Sequence, residues 1–181
     1  MIGGQQKPLL LHTLANWFAV FDTLYLMLPA DDPALHAVIN DLPEEQLGRL
    51  RLVGVSDSDQ GMSQSIKAGI DASRDAAGWL IGLADMPWVS PVVLADLKQA
   101  MIGGAGIAAP YYQDQRGQPV AFNAGYLPDL LALEGDQGAR QLLLDNKSLI
   151  HAITSPDNGI LRDIDKPADL PSVRPAVPSR Y

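Results

Sequence analysis

The chain contains no cysteine, which excludes disulfides, thiolate nucleophiles and cysteine-ligated zinc. Histidine is nearly as scarce. His12, His36 and His151 stand far apart and show no metal-ligand spacing. Lysine and arginine number 13 against 21 aspartates and glutamates, a net charge of −8. So little positive charge argues against a nucleic-acid backbone or an anionic membrane as the main partner. Phosphates remain possible ligands where a metal and backbone amides carry the charge. No apolar run approaches the ~18 residues of a membrane span. The N-terminus lacks a basic stretch followed by an apolar core and a cleavage site, so no signal peptide is read and a cytoplasmic protein is expected. What is present is ordinary for one globular domain: 181 residues and a hydrophobic content of 47%, enough for a sizeable core.

The most informative stretch is Trp79-Leu80-Ile81-Gly82-Leu83-Ala84-Asp85-Met86-Pro87. Its continuous apolar run suits a strand buried on both faces, as in a parallel sheet. Asp85 then falls at the carboxyl end of the strand, where open α/β sheets bind ligands. A carboxylate there can hold Mg2+, which uses one or two carboxylates plus substrate phosphates. The plainer alternative is that Asp85 caps the next turn.

Other segments fill in a doubly wound pattern. Leu10, Leu14, Trp17, Phe18 and Phe21 give one apolar face to a helix that begins near Pro8. Thr23 to Leu28 reads as a strand. Asp32-Pro33 reads as a helix cap with proline in first place, and Leu52 to Val55 as a second strand after a polar connection from Glu44 to Arg51. Met62, Ile66 and Ile70 lie four apart on a helix whose opening turn carries Gly61, Ser63 and Ser65. Amides at such a helix start can receive phosphate; equally, the serines can be plain first-turn residues. Ser90-Pro91 starts a further helix that Gly103-Gly104 ends, and Ile107 to Pro110 and Pro119 to Phe122 form a hairpin across an exposed turn. A helix is expected from about Gly125 to Leu133. Asp136 is placed to cap the next helix, through Leu142 to Leu144, and Leu149 to Ile153 forms a strand containing His151. Asp163 and Asp165, two apart on extended backbone, point to one side, and their like charges need a cation or proton nearby. The tail from Pro171 to Tyr181 has no periodicity and reads as disordered, leaving residues 1–170 as one domain.

In chain order the sequence carries Gly61-Met62 with Ser65 and Gly69, Leu83-Ala84-Asp85-Met86-Pro87, Ala109-Pro110-Tyr111 and Arg116-Gly117-Gln118-Pro119. Gly135-Asp136-Gln137-Gly138-Ala139-Arg140 and Arg162-Asp163-Ile164-Asp165, with Pro167 and Asp169-Leu170, follow. Together these resemble the MobA-like NTP transferases, and within them the molybdenum cofactor cytidylyltransferase branch. The resemblance implies a Rossmann-like three-layer α/β/α fold of the nucleotide-diphospho-sugar transferase type, with a mostly parallel mixed sheet. It implies a Mg2+-dependent nucleotidyltransferase that moves CMP from CTP, or another NTP's monophosphate, to molybdopterin or its molybdenum form. Pyrophosphate leaves, and a molybdoenzyme or its maturation factor is an implied partner. Asp85, Asp163 and Asp165 match the catalytic acidic positions, with Asp85 and Asp163 as metal ligands. Gly61 and Ser65 match the nucleotide or acceptor pocket, and Asp136 and Arg140 the acceptor side.

The chain departs from the pattern at its start. Family members open with a strand and a loop of the type Leu-Ala-Ala-Gly-x-Ser-x-Arg-Met-Gly, then a lysine, which cradle the triphosphate. Here Gly3-Gly4 and Pro8-Leu9-Leu10 match a later segment, and Lys7 falls too late to be that lysine. The first strand is therefore expected to be missing. Two explanations follow: a start chosen ~25–30 residues too late, enough for one strand and one loop, or a catalytically impaired relative serving as a binding or interaction module. A third reading, an NAD(P)-dependent reductase, fails because no Gly-x-Gly-x-x-Gly follows a strand.

Overall fold

A computed structural model describes residues 8–29, 31–56, 61–136 and 138–164. Lys7, Asp165 and the 171–181 tail lie outside them.

Helix α1, Leu9–Phe18, buries Leu10, Leu11, Leu14 and Phe18. Strand β1, Leu24–Pro29, runs parallel to β2, Leu50–Val55, in register from Leu24 opposite Leu50 to Pro29 opposite Val55. Between them lie α2, Pro33–Asn40, and α3, Glu44–Arg49. The side chain of Asp32 accepts a bond from the Leu35 amide at 2.9 Å, as the Asp-Pro pair predicts. Asp32→Ala is expected to cost about 1 kcal/mol, readable as a lowered urea midpoint. Helix α3 replaces the polar connection expected there. It has no fully buried residue and only Leu47 packs on the core, so apolar periodicity gives no sign of it. Its signals are terminal: Pro43 at the cap, Glu44 and Glu45 in the first turn and Arg49 in the last, in the order the helix dipole favours. Arg49 then reaches the carbonyls of Phe18, Phe21 and Asp22 and stacks over Phe18. A small core of Leu10, Leu14, Phe18, Leu24, Ile39 and Leu50 holds this part together.

The second sheet is built around β4, Ile107–Tyr112. On one side β7, Ile150–Thr154, pairs with it in parallel. On the other, β6, Val120–Asn123, pairs antiparallel, and β3, Gly78–Ile81, pairs antiparallel with β6. The two-residue strand β5, Gln115–Arg116, folds back on the end of β4 across Gln113 and Asp114, both at positive φ. The parallel pairing expected for β3 is thus corrected. The hairpin return strand β6 takes the place beside it.

Alternation along these strands creates the layers. Ile107, Ala109, Val120 and Phe122 face α4, Met62–Asp71, together with α6, Leu127–Leu131, and α7, Arg140–Asp145. Ala108 and Ala121 face Val93 and Leu97 of α5, Pro91–Ile102. Ser90 Oγ accepts from the Val93 amide at 3.4 Å, the cap expected from Ser-Pro. The expected helix near 125–133 is shorter, a 3-10 turn at Ala124–Tyr126 leading into α6. The result is a mixed α/β, three-layer fold. No described helix is long and apolar enough to cross a membrane.

The two sheets are not paired to each other. Among the described residues β1 pairs only with β2, and β3 only with β6. A cavity of about 490 Å³ lies between their outer edges, lined by residues 23–27 and 78–84 and walled by α1 and α4.

Candidate active site

Past Ile81 the chain leaves β3 for the loop that carries Asp85. A Cβ on Gly82 would collide with the Trp17 ring, so only glycine lets α1 lie this close. Thr13 Oγ1 donates to the Ala84 carbonyl at 2.8 Å, and Asn16 Nδ2 donates to the carbonyls of Pro87 and Val89 at 2.9 and 3.1 Å. Two polar side chains of α1 therefore fix the backbone on both sides of Asp85. Met86 and Val89 are sunk against Leu94 of α5, which anchors the loop from below. Thr13→Val keeps the shape and strands the Ala84 carbonyl. It is expected to cost about 1–2 kcal/mol in chemical denaturation.

Asp85 is half-buried, with Oδ1 withdrawn from solvent. Its backbone carbonyl accepts a hydrogen bond from the Ile164 amide at 3.1 Å. That bond lays the segment of Asp163 along the segment of Asp85, although 78 positions separate the two aspartates in the sequence. Asp163 is exposed. Two further contacts hold the segments together. The Arg162 guanidinium stacks on the Trp88 ring, 3.8 Å from its centroid. A Cβ on Gly159 would strike the Trp88 carbonyl, so glycine is what allows the 3-10 turn Asn158–Leu161 to dock there. Asp157 accepts from the Gly159 amide at 2.7 Å and holds that turn.

Among the described residues no three His, Cys, Asp or Glu side chains gather as a metal-holding group. The donors on offer are the carboxylates of Asp85 and Asp163, both hard oxygen ligands. They suit Mg2+ or Mn2+ bound through one or two carboxylates, with water and phosphate oxygens completing the shell.

A second group forms at the start of α4. Gly61 sits at φ +99, and Asp136 Oδ1 occupies the space its Cβ would take. The Ser63 amide donates to the Gly135 carbonyl at 3.3 Å. At Gly138, φ +52, a Cβ would stand 2.8 Å from Met62 Sδ. The loop from Gly135 to Ala139 thus wraps the first turn of α4. Asp136 was expected to cap the helix containing Leu142 to Leu144, but the residue at that position is Ala139, and it makes no side-chain cap bond. The carboxylate lies at the N-terminus of α4 instead, where the helix dipole favours it. Arg140 is exposed at the first turn of α7. Ser65 is half-buried and lines the cavity that Ala84, next to Asp85, also lines.

Sequence reasoning missed Thr13, Asn16 and Trp88, and read Asn158-Gly159 only as a turn. Each acts through a contact with a distant carbonyl or ring, and local spacing carries no trace of that.

This layered α/β fold is shared with solved nucleotidyltransferases. A nucleotidyl transferase from Methanothermobacter thermautotroptrophicus superposes with a TM-score of 0.73 at 18% identity, over 93% of this chain and 79% of its own. Rv0371c from Mycobacterium tuberculosis H37Rv gives a TM-score of 0.77 at 24% identity, over 93% and 84%. It has also been solved as a complex with manganese. The chain belongs to the MobA-like NTP transferase domain family, which matches residues 1–150. Purine catabolism protein PucB of Bacillus subtilis (strain 168) is 32% identical over 130 residues. That match covers 67% of this chain and 60% of PucB, so the chain spans under two thirds of that relative's length.

Proposed function

We propose that this chain is a nucleotidyltransferase that transfers CMP from CTP to a phosphate-bearing acceptor of the molybdopterin type. The observation that carries the reading is the hydrogen bond from the Ile164 amide to the Asp85 carbonyl, which sets two acidic segments side by side. Family membership and the manganese complex of a structural relative support it.

In this reaction an acceptor phosphate oxygen attacks the α-phosphorus of CTP. A new P–O bond forms as the bond to the bridging oxygen of the β-phosphate breaks, and pyrophosphate leaves with that electron pair. Such transfers depend on positioning and charge stabilisation rather than on a protein nucleophile. Asp85 and Asp163 would hold a divalent ion, with Asp165 as the further acidic residue. Once bound, the ion neutralises phosphate charge and aligns the leaving group. Gly61 and Ser65 border the nucleotide or acceptor pocket, and Asp136 and Arg140 serve the acceptor side. Arg162 adds a cation next to Asp163. The stack on Trp88 orients the guanidinium plane, and its N–H groups are suited to phosphate oxygens. Arg162→Leu is expected to raise KM for the nucleotide about ten- to a hundred-fold, the worth of a charge-assisted hydrogen bond, with a smaller change in kcat. The product would pass to a molybdoenzyme or its maturation factor in the cytoplasm.

The test is to incubate the protein with Mg2+, molybdopterin and each NTP in turn and follow pyrophosphate release. Release with CTP above the other nucleotides is the expected result. Release with none of them overturns the proposal.

A further inference from the structure

We propose that β7 is the contact strand of a symmetric dimer: a second copy of this chain pairs antiparallel with its outer edge, about a two-fold axis at Ala152. Among the described residues β7 pairs with β4 alone, so its other edge carries a row of backbone N–H and C=O groups without strand partners. Such an edge is a template for another strand, and proteins blunt it with charged side chains or proline. Ile150-His151-Ala152-Ile153-Thr154 contains no proline and no lysine, arginine, aspartate or glutamate. The outer strand of the other sheet differs. There β2 carries Arg51, whose guanidinium folds back on the carbonyls of Gly48 and Leu50.

Backbone direction fixes the register. The Ser155 amide donates to the Tyr111 carbonyl of β4 at 2.8 Å. Backbone groups of successive strand residues point to opposite sides. His151 and Ile153 therefore also address β4, and Ile150, Ala152 and Thr154 address the free edge. Centring an antiparallel pair on Ala152 sets the two Ala152 residues opposite each other, with Ile150 opposite the partner's Thr154 on both sides. Every outward residue of the strand then exchanges two bonds with its opposite number. Any other centre leaves outward groups unpaired.

The side chains agree with that centre. Ala152 is small and exposed, so two copies meet at the axis without a clash. Lys147 and Asp157 stand five positions from it, one on each side. Pairing about Ala152 thus brings Lys147 toward the partner's Asp157 at both ends of the contact. Both are exposed, and among the described residues neither is in an ion pair. Asp157 keeps extended backbone and uses Oδ1 for the Gly159 amide. Leu149 is 63% exposed. A lone exposed leucine is ordinary, but this one falls opposite the partner's Ser155, where pairing covers it. These charges choose the occupant. Any extended peptide meets the row of amides, whereas a second copy supplies complementary charge at both ends by symmetry. One sheet then runs through the dimer, from β3, β6, β4 and β7 into the same strands of the partner in reverse. The inference is independent of the nucleotide chemistry.

The test is the mass of the whole chain in solution against concentration, read by analytical ultracentrifugation. A contact of this size predicts a dimer with a dissociation constant of about 1–100 μM. Hydrogen exchange at the Ile150, Ala152 and Thr154 amides should slow about tenfold or more as the dimer fills. The His151 and Ile153 amides, already bonded to β4, should not change. Ala152→Pro removes an N–H that β4 does not use and should abolish the dimer, while thermal unfolding of dilute protein confirms the fold. Ala152→Glu and Ala152→Lys each set like charges opposite at the axis and should weaken it about tenfold or more. Mixing those two variants should restore it, which misfolded chains could not do. Four results would overturn the proposal: a monomer at ~1 mM, a dimer indifferent to these substitutions, no association in the mixture, or a monomer whose Ile150, Ala152 and Thr154 amides are protected at every concentration.

Discussion

Asp85→Asn is expected to lower Mn2+ affinity at least about tenfold and metal-dependent pyrophosphate release by about 10²–10³, with the unfolding midpoint within a few degrees of the parent protein. The substitution is isosteric and removes one formal charge. The bonds that shape the loop survive it because they run through backbone: Ile164 donates to the carbonyl of Asp85, and Thr13 to that of Ala84. A loss of affinity without a loss of fold therefore reports on the carboxylate alone. Metal affinity, read by electron paramagnetic resonance, does not require turnover, so the two readouts stand independently. Unchanged turnover would remove Asp85 from the mechanism.

Gly159→Val is expected to destabilise the protein by about 1–3 kcal/mol, as overpacking against a backbone does, and also to weaken Mn2+ binding. The added carbon would meet the Trp88 carbonyl oxygen, with the Trp88 carbonyl carbon at 2.8 Å and Asp157 Oδ1 at 2.9 Å. Two of these three are backbone atoms of the acidic loop, so relief requires the Asn158–Leu161 turn to move away. Asp163 follows two residues later and moves with it. Coupled loss of stability and metal affinity is the signature. Loss of stability alone would separate the turn from the site. Gly48→Ala is the control. Nothing lies within 4 Å of a Cβ at that position in α3, so this change should raise stability by about 0.5–1 kcal/mol.

Much of this molecule is legible from local pattern. The apolar runs become β1 to β4 and β7, and Asp32-Pro33 and Ser90-Pro91 start α2 and α5 as their chemistry requires. The acidic loop after β3 stands at the end of an apolar run, where a strand-end site should be sought. Strand order is another matter. That β6 lies between β3 and β4 is a long-range pairing, and the β3 sequence carries no mark of it. Helix α3 escapes notice because only Leu47 of it packs on the core, too little to show a periodicity. Asp136 illustrates a third limit. A carboxylate ahead of a helix is an ordinary cap signal, but Gly135 and Gly138, both at positive φ, lie against the start of α4, far back in the chain. The alanines at 108 and 121 look featureless in sequence. In the fold they are the small residues against which α5 packs.

The split between the sheets also governs how the molecule comes apart. Residues 8–56 carry their own small core, and among the described residues no ladder of backbone bonds ties them to the rest. They are held by helix packing, as where Met27 rests on Gly69, and by a few side-chain ties such as Lys98 to the Val20 carbonyl. This segment is accordingly the weaker cooperative unit. On heating it should melt first, giving two calorimetric transitions in a chain short enough to be expected to melt in one.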